Sequence, residues 1–421
     1  MRVSAREPPF TVGIQEEYLL VDRDSCDVCS DPPAQLLREC AELGAGRLAP
    51  EYLRCQVEAV TRVCRTLAEA RADLAQLRAT VIEVAGRYGL APIAASTHPF
   101  ARSVQQKPRD ERFVQLAREM QASSRRLLIG GMRVHVGIDD DDLRIDLMNQ
   151  FSYFLPHLLA LSCSSPFWEG EQTGFKSFRL SLYSTLPRTG LPERFASFAD
   201  YRRQIDMLIT SGLIADTTKI WWDLRPNSHY PTLETRIMDC CTSIDDAVCL
   251  AGLTATTLRM LYRLRLANRS WRLYANVLIA ENRWRAMRHS YDDKLLDLAR
   301  GELLPFSQLL NELLEQVRED AQALDCVREV EHARTILARG TSAHGQIAAY
   351  RDARSRGATP REALRAVVQF LVKETAAGVQ PKSVEPPAED LTGSFRGSAA
   401  PDWAQLATES RSGGASDDAS L

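Results

Sequence analysis

The chain has 421 residues, of which 45% are hydrophobic, enough to bury a large core in one domain or two. Its formal net charge is −3, with 25% charged residues of both signs, so it lacks the basic surface that binds a nucleic-acid backbone. No apolar stretch is long enough to span a bilayer, and the N-terminus lacks the apolar core of a signal peptide, which favours a cytoplasmic protein without nucleic-acid or membrane partners.

The first predicted element is a strand over residues 10–22. Period-two alternation places Gln15 and Glu17 on one face of this strand. Glu16 lies with apolar neighbours on the opposite face. We therefore expect Glu17 to offer its carboxylate to a site.

Strands, helices and one long loop follow. A strand over residues 57–63 carries the carboxylate of Glu58, and the β-branched strand 133–138 places Arg133 and His135 on one face. The other elements predicted here are a helix over 66–88, a strand over 91–96, a polar helix after residue 100, an acidic turn over 139–142 that starts a helix, and a loop over 164–201.

Residues 219–239 hold the densest set of reactive side chains. Alternation places Glu234 and Arg236 on one strand face, two residues apart, and Asp223 with Arg225 repeats that spacing upstream. Such a face offers hard oxygen ligands for a metal ion and a guanidinium clamp for phosphate. Solvated cross-strand ion pairs are the alternative, which the neighbouring Trp and His residues make the weaker interpretation.

The last third of the chain is predicted to be mainly helical. Helical patterns run from Ile244 to about Arg272 and over roughly 292–374. From residue 376 to 421 the composition shifts to Pro, Gly, Ser and acidic residues, with few aliphatic ones. This shift predicts a disordered tail, 376–421, after a single catalytic domain over residues 1–375.

Carboxylates and arginines are expected to converge on one sheet. Glu17, Glu58 and Glu234 each lie on a strand face, and Arg225 and Arg236 lie close to the last of them. Such a set suits Mg²⁺ bound to nucleotide phosphates. The sequence contains neither a P-loop motif nor G-x-G-x-x-G, which disfavours the P-loop, kinase and Rossmann classes.

Three further side chains are candidates for substrate contact. Arg179, in the long loop, has a guanidinium fork that suits a substrate carboxylate. His135 faces the same side of its strand as Arg133, which favours a site role over core packing. His229 follows a Pro-Asn-Ser turn, where it either orients a substrate or is simply solvated.

Seven motifs follow one another in order between residues 10 and 375. They read TVGIQEEYLLVD at 11, QVEAVT at 56, THPF at 97, GMRVHVG at 131, SSPFWEG at 164, WDLRPNSHYPTLETR at 222 and ENRWRAMR at 281. In this order they resemble the carboxylate–amine ligases related to glutamate–cysteine ligase type 2. Several motifs in one order are far more specific than any single motif.

The resemblance implies a fold and a reaction. The implied fold is α+β and glutamine-synthetase-like, with a curved antiparallel sheet forming a half-open funnel or barrel and helices packed outside. The implied cofactors are ATP and Mg²⁺, and the partners are small-molecule amino-acid and amine substrates. A carboxylate, often the γ-carboxylate of glutamate, becomes an acyl phosphate that an amine such as cysteine attacks. Symmetry statistics favour a homodimer.

The resemblance also implies roles for individual residues. The implied metal ligands are Glu17, Glu58 and Glu234. Arg236 matches an arginine that contacts phosphate. Lys219, Trp222 and Arg225 match positions beside the nucleotide or the acyl phosphate. Acyl-phosphate chemistry depends on charge neutralisation and positioning, so the arginines Arg133, Arg225 and Arg236 are the expected catalytic groups.

Two positions depart from the family pattern. Gln15 stands where the family motif G-x-E-x-E has its first carboxylate, and Arg133 stands where H-V-H has its first histidine. A neutral amide is a weak metal ligand and a guanidinium cannot ligate a metal at all. We therefore predict that Arg133 takes the place of one Mg²⁺ and donates to Gln15 and to phosphate oxygens. An ATP-independent, metal-dependent amide hydrolase and a non-catalytic nucleotide- or amino-acid-binding protein remain the alternatives.

Overall fold

A computed structural model describes residues 7–108, 114 and 118–379. The strands are β1 Val12–Asp22, β2 Leu48–Pro50, β3 Gln56–Val60, β4 Leu90–Ile93, β5 Met132–Gly137, β6 Phe167–Trp168, β7 Glu171–Gln172, β8 Thr189–Gly190, β9 Trp221–Trp222, β10 Leu224–Pro226, β11 Thr232–Thr235, β12 Lys294–Asp297 and β13 Glu302–Pro305. The α-helices are α1 Ala34–Leu43, α2 Leu67–Arg87, α3 Asp141–Phe151, α4 Leu155–Ser162, α5 Arg179–Tyr183, α6 Phe198–Thr210, α7 Ile244–Leu266, α8 Asn276–His289, α9 Phe306–Ala323, α10 Val327–Arg339, α11 Ser342–Ser355 and α12 Pro360–Ala376. Short 3₁₀ helices cover Ser103–Gln105, Ser124–Arg126, Ser152–Phe154 and Thr217–Lys219.

Seven strands form one antiparallel sheet in the order β10–β11–β5–β1–β3–β2, with β4 also paired to β1. β1 is central: it pairs with β3 and β5 along its first part and with β4 through Leu19–Asp22. The outer strands β10 and β2 do not pair with each other within the described ranges, so the sheet is open and not a closed barrel. The α+β class and the antiparallel sheet are confirmed, and the half-open funnel stays a prediction.

One face of the sheet packs against helices. Ile14, Val134 and Leu233 are fully buried in one hydrophobic core together with residues of α2, α3 and α7. Because side chains alternate along a strand, the neighbouring residues of these strands point to the opposite face. No helix in the described part of the chain has the length and apolar character needed to cross a bilayer.

A buried ion pair joins β1 to α2. Arg78 donates from Nε and Nη2 to the Glu16 carboxylate at 2.8 and 2.6 Å, and Tyr18 donates its hydroxyl to the same group at 2.6 Å. Arg78 also donates to the carbonyls of Cys241 and Thr242, each at 2.8 Å. Both charged side chains are fully buried, and their hydrogen bonds compensate the loss of hydration. Glu16 is therefore a structural group, as its place on the core face indicated.

Several boundaries differ from those predicted from the sequence. β3 ends at Val60, and the helix predicted after the acidic turn is divided by a 3₁₀ turn because Pro156 starts a new helix. The helical prediction for 292–374 was wrong at its start, where β12 and β13 form a hairpin. The polar helix after residue 100 and the tail over 376–421 lie mostly outside the described residues.

Buried histidines make stability depend on pH. His98 and His157 are buried, and this burial lowers the pKa of each to about 4. In the unfolded chain a histidine titrates near pH 6.5, so between about pH 6.5 and about pH 4 the unfolded state binds protons that the native state does not. The free energy of unfolding is therefore expected to fall as the pH is lowered through this window.

Replacing His157 by leucine is expected to reduce that loss. Leucine cannot bind a proton and is close to histidine in size. The slope of the free energy of unfolding against pH should therefore decrease by up to about 1.4 kcal/mol per pH unit. Denaturant unfolding near pH 7 and near pH 4.5 measures the change. His229→Gln is the matched control, because His229 is exposed in a turn and is not part of the core. Equal slopes for the wild type and His157→Leu would contradict the prediction.

Candidate active site

The face of the sheet opposite the helical core gathers the charged side chains. Residues that lie opposite each other in antiparallel strands point to the same face. This register confirms the alternation expected from the sequence for β1, β3, β5 and β11. The facing pairs, read across the sheet, are Arg225–Glu234, Glu234–His135, Arg133–Gln15 and Glu17–Glu58.

Arg133 lies between two carboxylates. Its Nη1 donates to Glu58 Oε1 at 2.6 Å and to Gln15 Oε1 at 3.4 Å, and its Nη2 donates to Glu17 Oε1. Burial raises the pKa of Glu58, and the Arg133 guanidinium opposes that shift. Burial alone would lower the pKa of Arg133, but Glu17 and Glu58 raise it well above its usual value. Arg133 is therefore a charged cross-link between β1, β3 and β5.

Glu234 accepts hydrogen bonds from three side chains. Arg225 donates from Nε and Nη2 at 3.0 and 3.3 Å, Asn227 donates at 2.9 Å, and Arg236 donates from Nη1. Burial alone would raise the pKa of Glu234, but the adjacent Arg236 and Arg225 hold it well below its usual range. Glu234 is therefore an ionised carboxylate whose two oxygens are both engaged by donors.

Arg225 connects Glu234 to the loop that precedes β9. Its Nη1 donates to the carbonyl of Ile220 and, at 3.4 Å, to that of Thr218. With Nε and Nη2 on Glu234, the guanidinium is committed to protein groups. The sequence predicted Arg225 as a catalytic group beside the nucleotide. The structure gives it a positioning contact with Glu234 and with the loop that carries Lys219.

Arg236 keeps one donor without a partner. Its Nη1 donates to Glu234 and its Nη2 to the Tyr183 hydroxyl at 3.2 Å. Its Nε is buried and has no hydrogen-bond partner among the described residues. Because unsatisfied buried donors are rare and costly, this atom marks a position where a ligand oxygen would be stabilised.

Arg179 is largely committed to protein groups. Its Nε donates to Asp239 Oδ1 at 3.0 Å, and its Nη2 donates to the carbonyls of Arg236, Ile237 and Met238 at 3.1, 3.0 and 2.8 Å. The segment that follows β11 is thereby fixed. The sequence predicted Arg179 as a clamp for a substrate carboxylate. In the structure Nε holds the Asp239 carboxylate and Nη2 holds the backbone that carries Arg236.

Asp239, which accepts from Arg179, also accepts hydrogen bonds from three serines of the long loop. Its carboxylate accepts from the Ser164 backbone at 2.9 Å and from the hydroxyls of Ser165 and Ser177 at 2.7 and 2.9 Å. Asp239 and these serines are fully buried. The network joins the SSPFWEG motif to the segment after β11, a connection between distant positions that no local pattern could reveal.

Replacing Arg179 by methionine is expected to lower the free energy of unfolding by about 3–5 kcal/mol, because Asp239 loses its buried cation. The three backbone carbonyls lose a donor at the same time. Denaturant unfolding measures the loss. Arg203→Met is the matched control, since Arg203 forms an exposed ion pair on α6 worth about 1 kcal/mol or less. Similar losses in the two variants would contradict a special role for Arg179.

Of the remaining predicted site residues, one lines a cavity and the other three do not. Lys219 lines a cavity beside the charged face, whereas Trp222 packs against Phe195 with ring centroids 5.9 Å apart. His135 lies between Gln15 and Thr232, and burial lowers its pKa to about 4, so it is neutral near pH 7. His229 is exposed in its turn and does not line the cavity.

The cavity has a volume of about 190 Å³ and includes residues that the sequence analysis did not identify. Trp221 lines it in place of its neighbour Trp222, because consecutive residues of a strand point in opposite directions. This alternation is the one feature of the sequence that bears on the choice between the two tryptophans, and it does not indicate which of them faces the cavity. The other lining residues are Glu17, Glu51, Tyr52, Gln56, Met120, Leu127, Ile129, Gly130, Gly131, Met132, Arg133, Arg179, Tyr183, Leu186, Lys219 and Arg236.

The predicted metal ligands do not form one cluster. Within the described ranges, no group of three or more His, Cys, Asp and Glu side chains is arranged to hold a metal ion. Glu17 and Glu58 share Arg133, and Glu234 is held by Arg225 and Arg236. In this arrangement the three carboxylates do not fit a common Mg²⁺ site, because each is already paired with a guanidinium group.

The fold has a solved counterpart. The crystal structure of glutamate–cysteine ligase from Francisella tularensis in complex with AMP matches with a TM-score of 0.62 and 13% sequence identity, covering 89% of this chain and 91% of that one. At this level of identity the likeness concerns the fold. The protein is therefore of the mixed helix-and-sheet class and shares the fold of that ligase.

Sequence comparison defines the family. Residues 11–370 match the model of glutamate-cysteine ligase family 2 (GCS2). A Rhodospirillum rubrum protein named "Putative glutamate--cysteine ligase 2" is 56% identical over 378 residues, covering 88% of this chain and 97% of that protein. A protein of the same name from Jannaschia sp. is 48% identical over 366 residues, covering 87% and 96%. The chain belongs to glutamate-cysteine ligase family 2.

Proposed function

We propose that the protein is an ATP-dependent carboxylate–amine ligase. It activates the carboxylate of an amino acid, the γ-carboxylate of glutamate, as an acyl phosphate and couples it to an amine. The observation that carries the proposal is a cavity lined by Arg236, whose buried Nε has no partner among the described residues, and by Lys219. Family membership and the AMP-bound structural neighbour support the use of ATP.

Each chemical step requires charge neutralisation more than a protein nucleophile. A substrate carboxylate oxygen attacks the γ-phosphorus of ATP, the bond to the β-phosphate oxygen breaks, and ADP leaves. The amine then attacks the acyl carbon, phosphate leaves and the amine loses a proton. Arg236 lines the cavity with positive charge where phosphoryl oxygens gain negative charge, and such a preorganised donor lowers the barrier.

Other residues of the face act by holding Arg236 and its surroundings in place. Glu234 fixes Nη1 of Arg236, Tyr183 fixes Nη2, and Arg179 holds the backbone of the same residue. Arg225 attaches the Lys219 loop to Glu234. A charge held in one orientation stabilises a transition state better than a mobile one, because it needs no reorganisation during the reaction.

The role of Mg²⁺ in this proposal differs from the one that the family resemblance implies, in which Glu17, Glu58 and Glu234 are metal ligands. Mg²⁺ is proposed to arrive with ATP as its complex, with no ion held jointly by Glu17, Glu58 and Glu234. Arg133 supplies positive charge between Glu17 and Glu58, the place predicted for one ion.

The proposal extends to the domain organisation. The family match over residues 11–370 supports one catalytic domain over residues 1–375. The half-open funnel implied by the family resemblance is proposed with it, since the sheet is antiparallel and open at its edges.

The test is ADP release from the purified protein with Mg–ATP and glutamate, across a panel of amines that includes cysteine. Release that depends on an added amine supports the ligase, and omission of glutamate is the control. ATP-independent cleavage of the corresponding amides would instead identify a hydrolase. Binding of ATP or glutamate without turnover on any amine would identify a non-catalytic binding protein.

A further inference from the structure

The cavity beside Arg236 has a composition that defines a class of ligand. Resting on the proposed function, we propose that this cavity binds the acceptor amine, and that the acceptor is an α-amino acid with an apolar side chain. The argument uses the charges of the cavity, its apolar wall and its size.

The charged side chains of the cavity favour an anionic group on the ligand. Its lining contains four cationic residues, Arg133, Arg179, Lys219 and Arg236, but only two acidic ones, Glu17 and Glu51. Arg133 is engaged by Glu17 and Glu58, and Arg236 is assigned above to phosphoryl oxygens. Arg179 and Lys219 are therefore the cations left for a second anionic group.

Both of these residues have donors to spare. Lys219 forms no ion pair with any residue that the structure describes, and Nη1 of Arg179 makes no hydrogen bond to a described residue, although the side chain is 95% buried. A Cβ on Gly131 would lie 3.1 Å from this Nη1, so the glycine makes room for the guanidinium at the cavity wall. A carboxylate suits these two donors, because a guanidinium and an ammonium both bind it with charge-assisted hydrogen bonds.

Part of the lining is apolar. Met120, Leu127, Ile129, Met132 and Leu186 contribute side chains that carry no hydrogen-bonding group. Ile129, Met132 and Leu186 are buried within the protein. A ligand side chain with a hydroxyl or charge would lose its hydration against this wall without gaining a partner, whereas each buried methylene strengthens binding about fourfold.

The size of the cavity limits the ligand to a single amino acid. Its volume of about 190 Å³ is below the range of roughly 300–1,000 Å³ found for sites that hold drug-sized ligands. A peptide or a nucleotide exceeds it. An α-amino acid with a medium-sized apolar side chain places its carboxylate on the cations and its carbon atoms on the wall.

Titration calorimetry with a non-hydrolysable ATP analogue present tests the proposal through binding alone. Leucine and methionine are expected to bind about tenfold or more tightly than serine. Isoamylamine, which is leucine without its carboxylate, is expected to bind about tenfold or more weakly than leucine. Serine binding as tightly as leucine, or isoamylamine binding as tightly as leucine, would overturn the proposal.

Variants connect this binding to the cavity. Leu186→Ser is expected to weaken leucine binding about fivefold or more while leaving serine binding unchanged. Met120→Ser provides a second variant of the wall should Leu186→Ser fail to fold. Leu213→Ser is the matched control, because Leu213 is 68% exposed and does not line the cavity. Lys219→Met is expected to weaken the binding of leucine but not that of isoamylamine. Equal effects on the binding of the two ligands would contradict a contact between Lys219 and the carboxylate.

The role as acceptor is tested separately. Leucine should support glutamate-dependent ADP release and should bind without competition from glutamate. Competition between the two would place the donor in this cavity and overturn the assignment. ADP release with hydrophilic amines alone would overturn the inference and leave the ligase intact. Absence of ADP release with every amine would overturn the ligase, and the acceptor role with it, whatever calorimetry shows for binding.

Discussion

Replacing Arg236 by lysine is expected to lower the kcat of amine-dependent ADP release by about 10²–10³-fold, the range found when one preorganised transition-state donor is removed. Lysine keeps the positive charge beside Glu234, so the buried carboxylate retains a counter-ion. It lacks the Nε that is unpartnered in the structure and the Nη2 that donates to Tyr183. The expected loss concerns stabilisation of phosphoryl charge, with a smaller effect on the KM for ATP.

Steady-state ADP release at saturating ATP and glutamate measures this effect. Tyr183→Phe is the matched control, since it removes only the 3.2 Å contact with Arg236 and should reduce kcat about fivefold or less. A free energy of unfolding close to that of the wild type ensures that the lysine variant is folded. An unchanged kcat in a folded Arg236→Lys protein would remove Arg236 from the proposed mechanism.

Replacing Arg133 by methionine is expected to lower the free energy of unfolding by about 3–5 kcal/mol, the cost of removing one partner from a buried ion pair. Glu17 and Glu58 face each other across β1 and β3, and without the guanidinium their charges would repel. Burial already raises the pKa of Glu58, so the variant should bind a proton or a cation at this position. Millimolar Mg²⁺ or Mn²⁺ is therefore expected to raise the Tm of Arg133→Met and to leave the wild type unaffected.

Thermal unfolding with and without divalent ions checks both parts of this prediction. Arg318→Met is the matched control, because Arg318 forms an exposed ion pair with Glu315 on α9 and should change stability by about 1 kcal/mol or less. The double variant Arg133→His with Gln15→Glu offers ligating groups at both positions that depart from the family pattern. An unchanged metal requirement in that variant would contradict the idea that Arg133 takes the place of an ion.

Much of the candidate site was accessible from the sequence because side-chain direction along a strand is a local property. Alternation separated Gln15 and Glu17 from Glu16, and the structure places them on opposite faces of β1. The same rule placed Arg133 beside His135, and Glu234 beside Arg236. The order of the motifs identified the family, and the α+β class followed from it.

The pairing of charged groups was decided only by the tertiary structure. Arg133 joins residues that lie 75 and 116 positions away in the chain, and Arg179 holds Asp239, 60 positions away. Such contacts depend on which strands become neighbours and on how the loops fold over them. No local pattern indicated that Arg179 would commit Nε to Asp239 and Nη2 to backbone carbonyls, or that Arg225 would hold the Lys219 loop.

The sequence by itself determined which residue types share a face, since that depends on φ and ψ repeated along one strand. Only the tertiary structure decided that Trp221 and not Trp222 lines the cavity, and that distant segments supply Met120 and Leu186 to its wall. It also decided that each of the carboxylates Glu17, Glu58 and Glu234 is paired with a guanidinium group. Packing many side chains at once selects these contacts, because each buried charge must find a partner from whichever element lies beside it.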